Sequence, residues 1–167
     1  MSTAPSSANP LPAASGAEAR LSALGLTVPV APTPAAAYVP FVRSGDLLHI
    51  AGQVPVRDGQ FRYLGKLGVD FDLAAGQDCA REVALNVLAQ VKAALGGDLD
   101  RVVRVVKLNG FVNCAPDFVQ QPQVMNAASE LMVAAFGEAG RHARSAVGVV
   151  SLPFGVAVEI DGVFEVR

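Results

Sequence analysis

The amino-acid sequence predicts an α+β fold, a mostly β sheet with two helices packed on one of its faces. Three observations carry that reading. Residues 38–56, YVPFVRSGDLLHIAGQVPV, hold two short β-rich runs on either side of Ser44-Gly45-Asp46, which is good turn chemistry for a hairpin. From Asp72 the period of the apolar residues turns helical, returns to strand-like near residue 101, and turns helical again near residue 117. The chain then reaches HARSAVGVVSLPFGVAVEID, residues 142–161, which reads as two apolar strands joined by a tight turn. The predicted order is β-β-(β)-α-β-α-β-β.

Taken in order, residues 1–16 are rich in Ser, Ala, Pro and Gly, with almost no large apolar side chain. Burial would return too little to offset the entropy of ordering them, so a flexible tail is expected, followed by one domain over 17–167. AEARLSALGL (17–26) has a short helical pattern ended by Gly25. TVPVAPTPAAA (27–37) is too proline-rich for a helix or a central strand and is expected as an extended connector. In the hairpin, Leu47, His49 and Ala51 share one face and Leu48, Ile50 and Gly52 the other. RDGQFRYLG (57–65) suggests a turn at Asp58-Gly59 and a short strand. Ala80, Val83, Ala84, Val87, Leu88, Val91 and Leu95 form one face of a long helix ended by Gly96-Gly97. RVVRVVKLNGFVNC (101–114) is β-branched and reads as a strand. DFVQQPQVMNAASELMVAAFG (117–137) predicts the second helix. Pro122 sits in its first turn, Gly137 ends it, and Phe118, Pro122, Met125, Ser129, Met132 and Phe136 trace its buried side.

Composition narrows the function classes. With 167 residues, 51% of them hydrophobic, the chain can build a core of its own. Charged residues make up 17% and the net charge is −2, which leaves no broad electropositive field for a nucleic-acid backbone. Cys79 and Cys114 lack CxxC spacing, a usage that fits a reducing cytoplasm. His49 and His142 are the only histidines, and neither has a second His or Cys at ligand spacing, so no metal site is expected. With no signal-like start and no apolar span of ~20 residues, the expected location is cytoplasmic, away from membranes. The strands carry apolar residues on both sides (Val102, Val103, Val105 and Val106; Val147, Val149 and Val150; Val156, Val158 and Ile160), yet two helices cover one face only. A homo-oligomer closing over the other face is therefore expected.

Two charges stand out in the C-terminal strands, Arg144 at the head of the first and Glu159 late in the second. Burying a charge costs several kcal/mol unless it is paired or put to use, by roughly the usual desolvation cost. ARSAVGVVSLP followed by VEID resembles the C-terminal signature of the RidA/YjgF family, also labelled endoribonuclease L-PSP, and residues 38–56 are similar to its N-terminal hairpin. The resemblance implies a chorismate-mutase-like fold assembled as a homotrimer with three clefts between subunits. It further implies hydrolytic deamination of reactive 2-imino or enamine acids to 2-keto acids and ammonia, without cofactor. Arg144 matches the arginine that holds the substrate carboxylate and Glu159 the glutamate that positions the attacking water. Tyr38, Asn126 and the backbone of Gly52 match pocket positions.

The chemistry asks for these residue types independently. A guanidinium grips a planar carboxylate through parallel N–H donors, and one carboxylate can orient a water and relay a proton to an imine that is already electrophilic when protonated. Three departures qualify the resemblance: Ala51 where many members carry a serine, Ala146 where many carry a cysteine, and His142 in place of Pro or Ala. Structural readings stand beside the functional ones. Arg144 could form an interface ion pair and Glu159 could pair with a base. Tyr38 could be strand packing, Asn126 a helix cap, and His49 and His142 half-exposed strand and loop residues. A non-catalytic member that binds small carboxylates or partner proteins is the alternative function. Ribonuclease chemistry fits poorly with an acidic balance and unpaired histidines.

Overall fold

The computed structural model describes residues 16–32 and 37–167. Apart from Gly16, the expected tail lies outside the described residues, as do residues 33–36 of the expected connector. Residues 27–32 form neither helix nor strand.

Helix α1 (Ala17–Ala23) precedes a hairpin of β1 (Phe41–Ser44) and β2 (Leu47–Gln53) and a second, small hairpin of β3 (Val56–Arg57) and β4 (Gln60–Phe61). Asp58 and Gly59 both take left-handed backbone, φ 52° and 74°, which is the two-residue turn that Asp-Gly favours. Next come α2 (Leu73–Ala94), β5 (Val102–Asn113), α3 (Gln121–Phe136), β6 (Ala143–Val149) and β7 (Val158–Val166). The Asp72 carboxylate caps α2 by accepting from the Ala75 amide at 2.8 Å. The main sheet runs β1-β2-β7-β5-β6, with β5 and β6 parallel and every other neighbour antiparallel.

Helices α2 and α3 pack together on one face. Val83, Val87, Leu88 and Val91 of α2 and Met125, Ala128 and Met132 of α3 meet Leu48, Ile50, Val105, Leu108, Val112, Ile160 and Phe164 of the sheet. The buried stripe of α3 is Val124, Met125, Ala127, Ala128, Leu131, Met132 and Ala135. Of the expected stripe, Met125 and Met132 are fully buried and Phe118 and Phe136 pack half-buried against the core, while Pro122 is exposed and small alanines fill the rest of the contact.

Two expectations are corrected. First, β6 and β7 are not a hairpin, because β5 lies between them. Strand β6 follows the helical crossover β5-α3-β6, and such a crossover delivers a strand parallel to the one it left. The segment after β6, with a 3-10 turn over Pro153–Gly155, then carries the chain across to the far side of β5. Second, the face away from the helices is not apolar throughout. Along β7 its members are Glu159, Asp161, Val163 and Glu165, and β5 adds Lys107, Asn109 and Phe111. Leu47, His49 and Val147 complete a mixed surface on which Asn109 donates to Asp161 at 2.7 Å. Strict alternation in β7 puts Val158, Ile160, Gly162 and Phe164 together on the helix face and leaves a charge at three of the four open-face positions.

Candidate functional site

Arg144 and Glu159 head two separate clusters. On β6, Arg144 registers with Leu108 of β5, while Glu159 of β7 registers with Phe111. Leu108 and Phe111 are three residues apart on one strand, so their side chains, and those of their partners, leave opposite faces of the sheet. The arginine therefore points to the helix side and the glutamate to the open side.

Three acceptors near the start of α3 hold the guanidinium. Nη1 donates to Asn126 Oδ1 at 3.1 Å and to Ser129 Oγ at 3.0 Å, and Nη2 donates to the Pro122 carbonyl at 3.2 Å. A guanidinium has five N–H donors. Nε, and Nη2 beyond its one bond to Pro122, have no further acceptor among the described residues. Partial burial lowers the arginine pKa somewhat, which leaves it charged. Asn126 thus lies beside Arg144, and no carboxylate pairs with Arg144 among the described residues.

Glu159 lies at the wall of a cleft of about 690 Å³, together with Tyr38, Gly52, Gln53, Arg57, Phe61 and Phe154. Burial raises its pKa, and the nearby Asp161 raises it further. No basic side chain forms an ion pair with it among the described residues. Its Oε1 sits where a Cβ at residue 52 would be, so the close approach requires Gly52. Tyr38 is half exposed at the rim. Phe61 and Phe154 stack with centroids 4.1 Å apart and form an aromatic lip. Ala51 does not line the cleft; its amide donates to the Pro40 carbonyl and its carbonyl accepts from Gln53.

The sequence reading missed the device that holds the cleft wall. Glu82, Asn86 and Gln90 are 6%, 2% and 2% exposed, at i, i+4 and i+8 of α2, a polar stripe in the otherwise apolar buried surface of the helix. Asn86 Nδ2 donates to the carbonyls of Val54 and Val56, both at 3.0 Å. Gln90 donates to the Pro32 carbonyl at 2.7 Å and to Gln53 Oε1 at 3.3 Å, and Glu82 pairs with Arg57 at 2.7 Å. The stripe at four-residue spacing was the available signal.

Residues 18–158 match the family described as "YjgF/chorismate_mutase-like, putative endoribonuclease". The chain belongs to that family. Among relatives of this YjgF-like chain, Protein TCP17 of Trypanosoma cruzi is 51% identical over 150 residues, 89% of this chain and 93% of that protein. The crystal structure of Atu1372 from Agrobacterium tumefaciens, a protein of unknown function, is 52% identical and superposes with a TM-score of 0.85 over 90% of this chain and 92% of that one. A more distant similarity is to the crystal structure of E. coli TdcF with bound serine, 26% identical with a TM-score of 0.59 over 82% of this chain and 93% of that one. Among the described residues, no helix is long and apolar enough to cross a membrane.

Proposed function

We propose that this YjgF-like protein hydrolyses small 2-imino acids, or their enamine tautomers, to 2-keto acids and ammonia at clefts between copies of a homotrimer. The observation that carries this reading is Arg144 itself, charged, held by three neutral acceptors and left with donors on Nε and Nη2 that a carboxylate can take. The serine bound by TdcF is the same size and carries the same carboxylate. Because Arg144 and Glu159 leave opposite sheet faces, the working site pairs the arginine of one copy with the glutamate of the next.

In that site the guanidinium fixes the substrate carboxylate and, with it, the adjacent C2. Glu159 accepts a proton from a water as the water oxygen bonds to C2 of the protonated imine, and the C=N π electrons move to nitrogen. The protonated Glu159 then returns its proton to the amine nitrogen, the C–N bond breaks with its electron pair going to nitrogen, and the C2 hydroxyl passes its proton to the departing ammonia, which leaves the keto acid and ammonium. A raised pKa suits a carboxyl that must take and give a proton in one cycle. A second reading is carboxylate binding without turnover, which the same unpaired Arg144 supports.

The test supplies imine continuously from an amino acid and an amino-acid oxidase and follows keto-acid formation. The protein is expected to accelerate it. Arg144→Lys should lower activity by roughly 1.5–3 kcal/mol of transition-state stabilisation, since lysine keeps the charge but loses the fork. Glu159→Gln should spare pyruvate binding while cutting turnover. Pyruvate binding without acceleration by the wild type supports the second reading; intact turnover in both folded variants sinks the mechanism.

A further inference from the structure

We propose that Ser129 and His142 are positioning residues for Arg144, a two-member relay that fixes which edge of the guanidinium faces the substrate. The proposal rests on the reading of Arg144 as the carboxylate clamp. His142 Nδ1 lies 2.7 Å from the Gly140 carbonyl, His142 Nε2 lies 3.1 Å from Ser129 Oγ, and Arg144 Nη1 lies 3.0 Å from the same Oγ.

For a neutral His142, donor and acceptor roles along this chain have one consistent solution. A carbonyl can only accept, so the Gly140 oxygen requires the proton on Nδ1. In the neutral ring Nε2 is then a lone pair, and the Ser129 hydroxyl donates to it. The remaining lone pairs of Oγ face Arg144, which can only donate. Nη1 is thereby turned toward α3, where it donates to both Ser129 and Asn126. The Nε/Nη2 edge is left for a ligand.

The surroundings favour the neutral ring. Burial lowers the pKa of His142, and the Arg144 charge lowers it further, against the pull of the Gly140 carbonyl. Of the other charged groups nearby, Glu138 of the turn before β6 is bound to Arg141 at 3.0 Å, Glu130 of α3 is exposed, and Lys107 of β5 belongs to the open face. A brace between β6 and α3 would be redundant, because β6 is already hydrogen-bonded to β5 along Ala143–Val149. What the relay adds is orientation. Without it, the guanidinium can turn about its last bonds and present either edge, and an ordered bidentate grip is lost.

The experiment uses the full-length protein carrying 15N-labelled arginine. In the wild type the two Nη groups of Arg144 should give separate NMR signals, because rotation about Nε–Cζ and Cζ–Nη is hindered. Ser129→Ala and His142→Phe should merge or broaden them and weaken pyruvate binding about three- to tenfold, the loss expected for a misaligned charge-assisted contact. Ser129→Thr keeps the hydroxyl and should restore both readouts. Separate signals and unchanged pyruvate affinity in both folded variants overturn the proposal. If either variant fails to fold, the other, with the threonine rescue, decides it. Wild-type protein that binds no pyruvate would overturn the clamp reading, while the guanidinium signals still decide whether Ser129 and His142 position Arg144.

Discussion

Arg144 and Glu159 leave opposite faces of one sheet from strands separated by β5. Two groups so placed cannot act on one small molecule within a chain, so a shared substrate requires a second copy.

A mixing experiment tests that geometry. Two inactive chains, Arg144→Ala and Glu159→Ala, are unfolded, mixed in equal amounts and refolded together. If each site takes its arginine from one copy and its glutamate from the next, about one site in four draws both wild-type residues, and roughly a quarter of wild-type activity should return. Recovery of no activity from well-formed mixed oligomers would place both groups of a site in the same chain.

Gly52 is held open for Glu159. A methyl at residue 52 would occupy the space of the Glu159 carboxylate oxygen, which is the far end of a flexible side chain and can swing away. Gly52→Ala should therefore cost little stability, within about 1 kcal/mol, while it moves the carboxylate and lowers turnover at least tenfold. Denaturant unfolding and the keto-acid assay on the same preparation check this. Undiminished turnover would mean that the observed position of Glu159 is not the working one.

These residues also show what a sequence can and cannot convey. The long apolar period of α2, the turn residues of the first two hairpins and the β-branched run of β5 are local signals, and the structure follows them. The partnership of β6 is not local: the apolar pair around Leu152-Pro153 looks like a hairpin until the crossover through α3 sets β6 parallel to β5. The open face was misread because Glu159, Asp161 and Glu165 fall every second or fourth residue along a strand that is otherwise apolar. Arg144, Asn126 and Glu159 were visible through the family-like signature. The Ser129–His142 contact was not, since it joins residues 13 apart across a turn and depends on side-chain rotamers.

His142 should make the fold acid-sensitive. Its folded-state pKa lies below the ordinary histidine value, mainly through burial. As pH falls through that ordinary value, the unfolded chain takes up a proton that the native ring refuses, so unfolding becomes more favourable. Wild-type stability should drop across this window, and His142→Phe should flatten the drop. Urea unfolding at a series of pH values measures it; a pH response that survives His142→Phe would assign the sensitivity to other groups.

Glu159 has the opposite linkage. Its folded-state pKa is raised, by burial first and Asp161 second. Between the ordinary carboxylate value and the raised one, the native state holds a proton that the unfolded chain has released, so stability is greatest below this window and falls as pH rises through it. At neutral pH the ionised Glu159 is therefore kept at a cost to the fold, and a neutral side chain of the same shape should relieve it. Glu159→Gln is expected to be more stable than wild type at pH 7, with the difference shrinking as pH drops below the window, and to have lost turnover. Because assembly also stabilises, the two proteins must be unfolded in urea at the same protomer concentration. A variant less stable than wild type at neutral pH would mean that the Glu159 carboxylate makes a favourable ion pair in the assembled protein, and a paired structural glutamate would then replace the proton-relay role proposed for it.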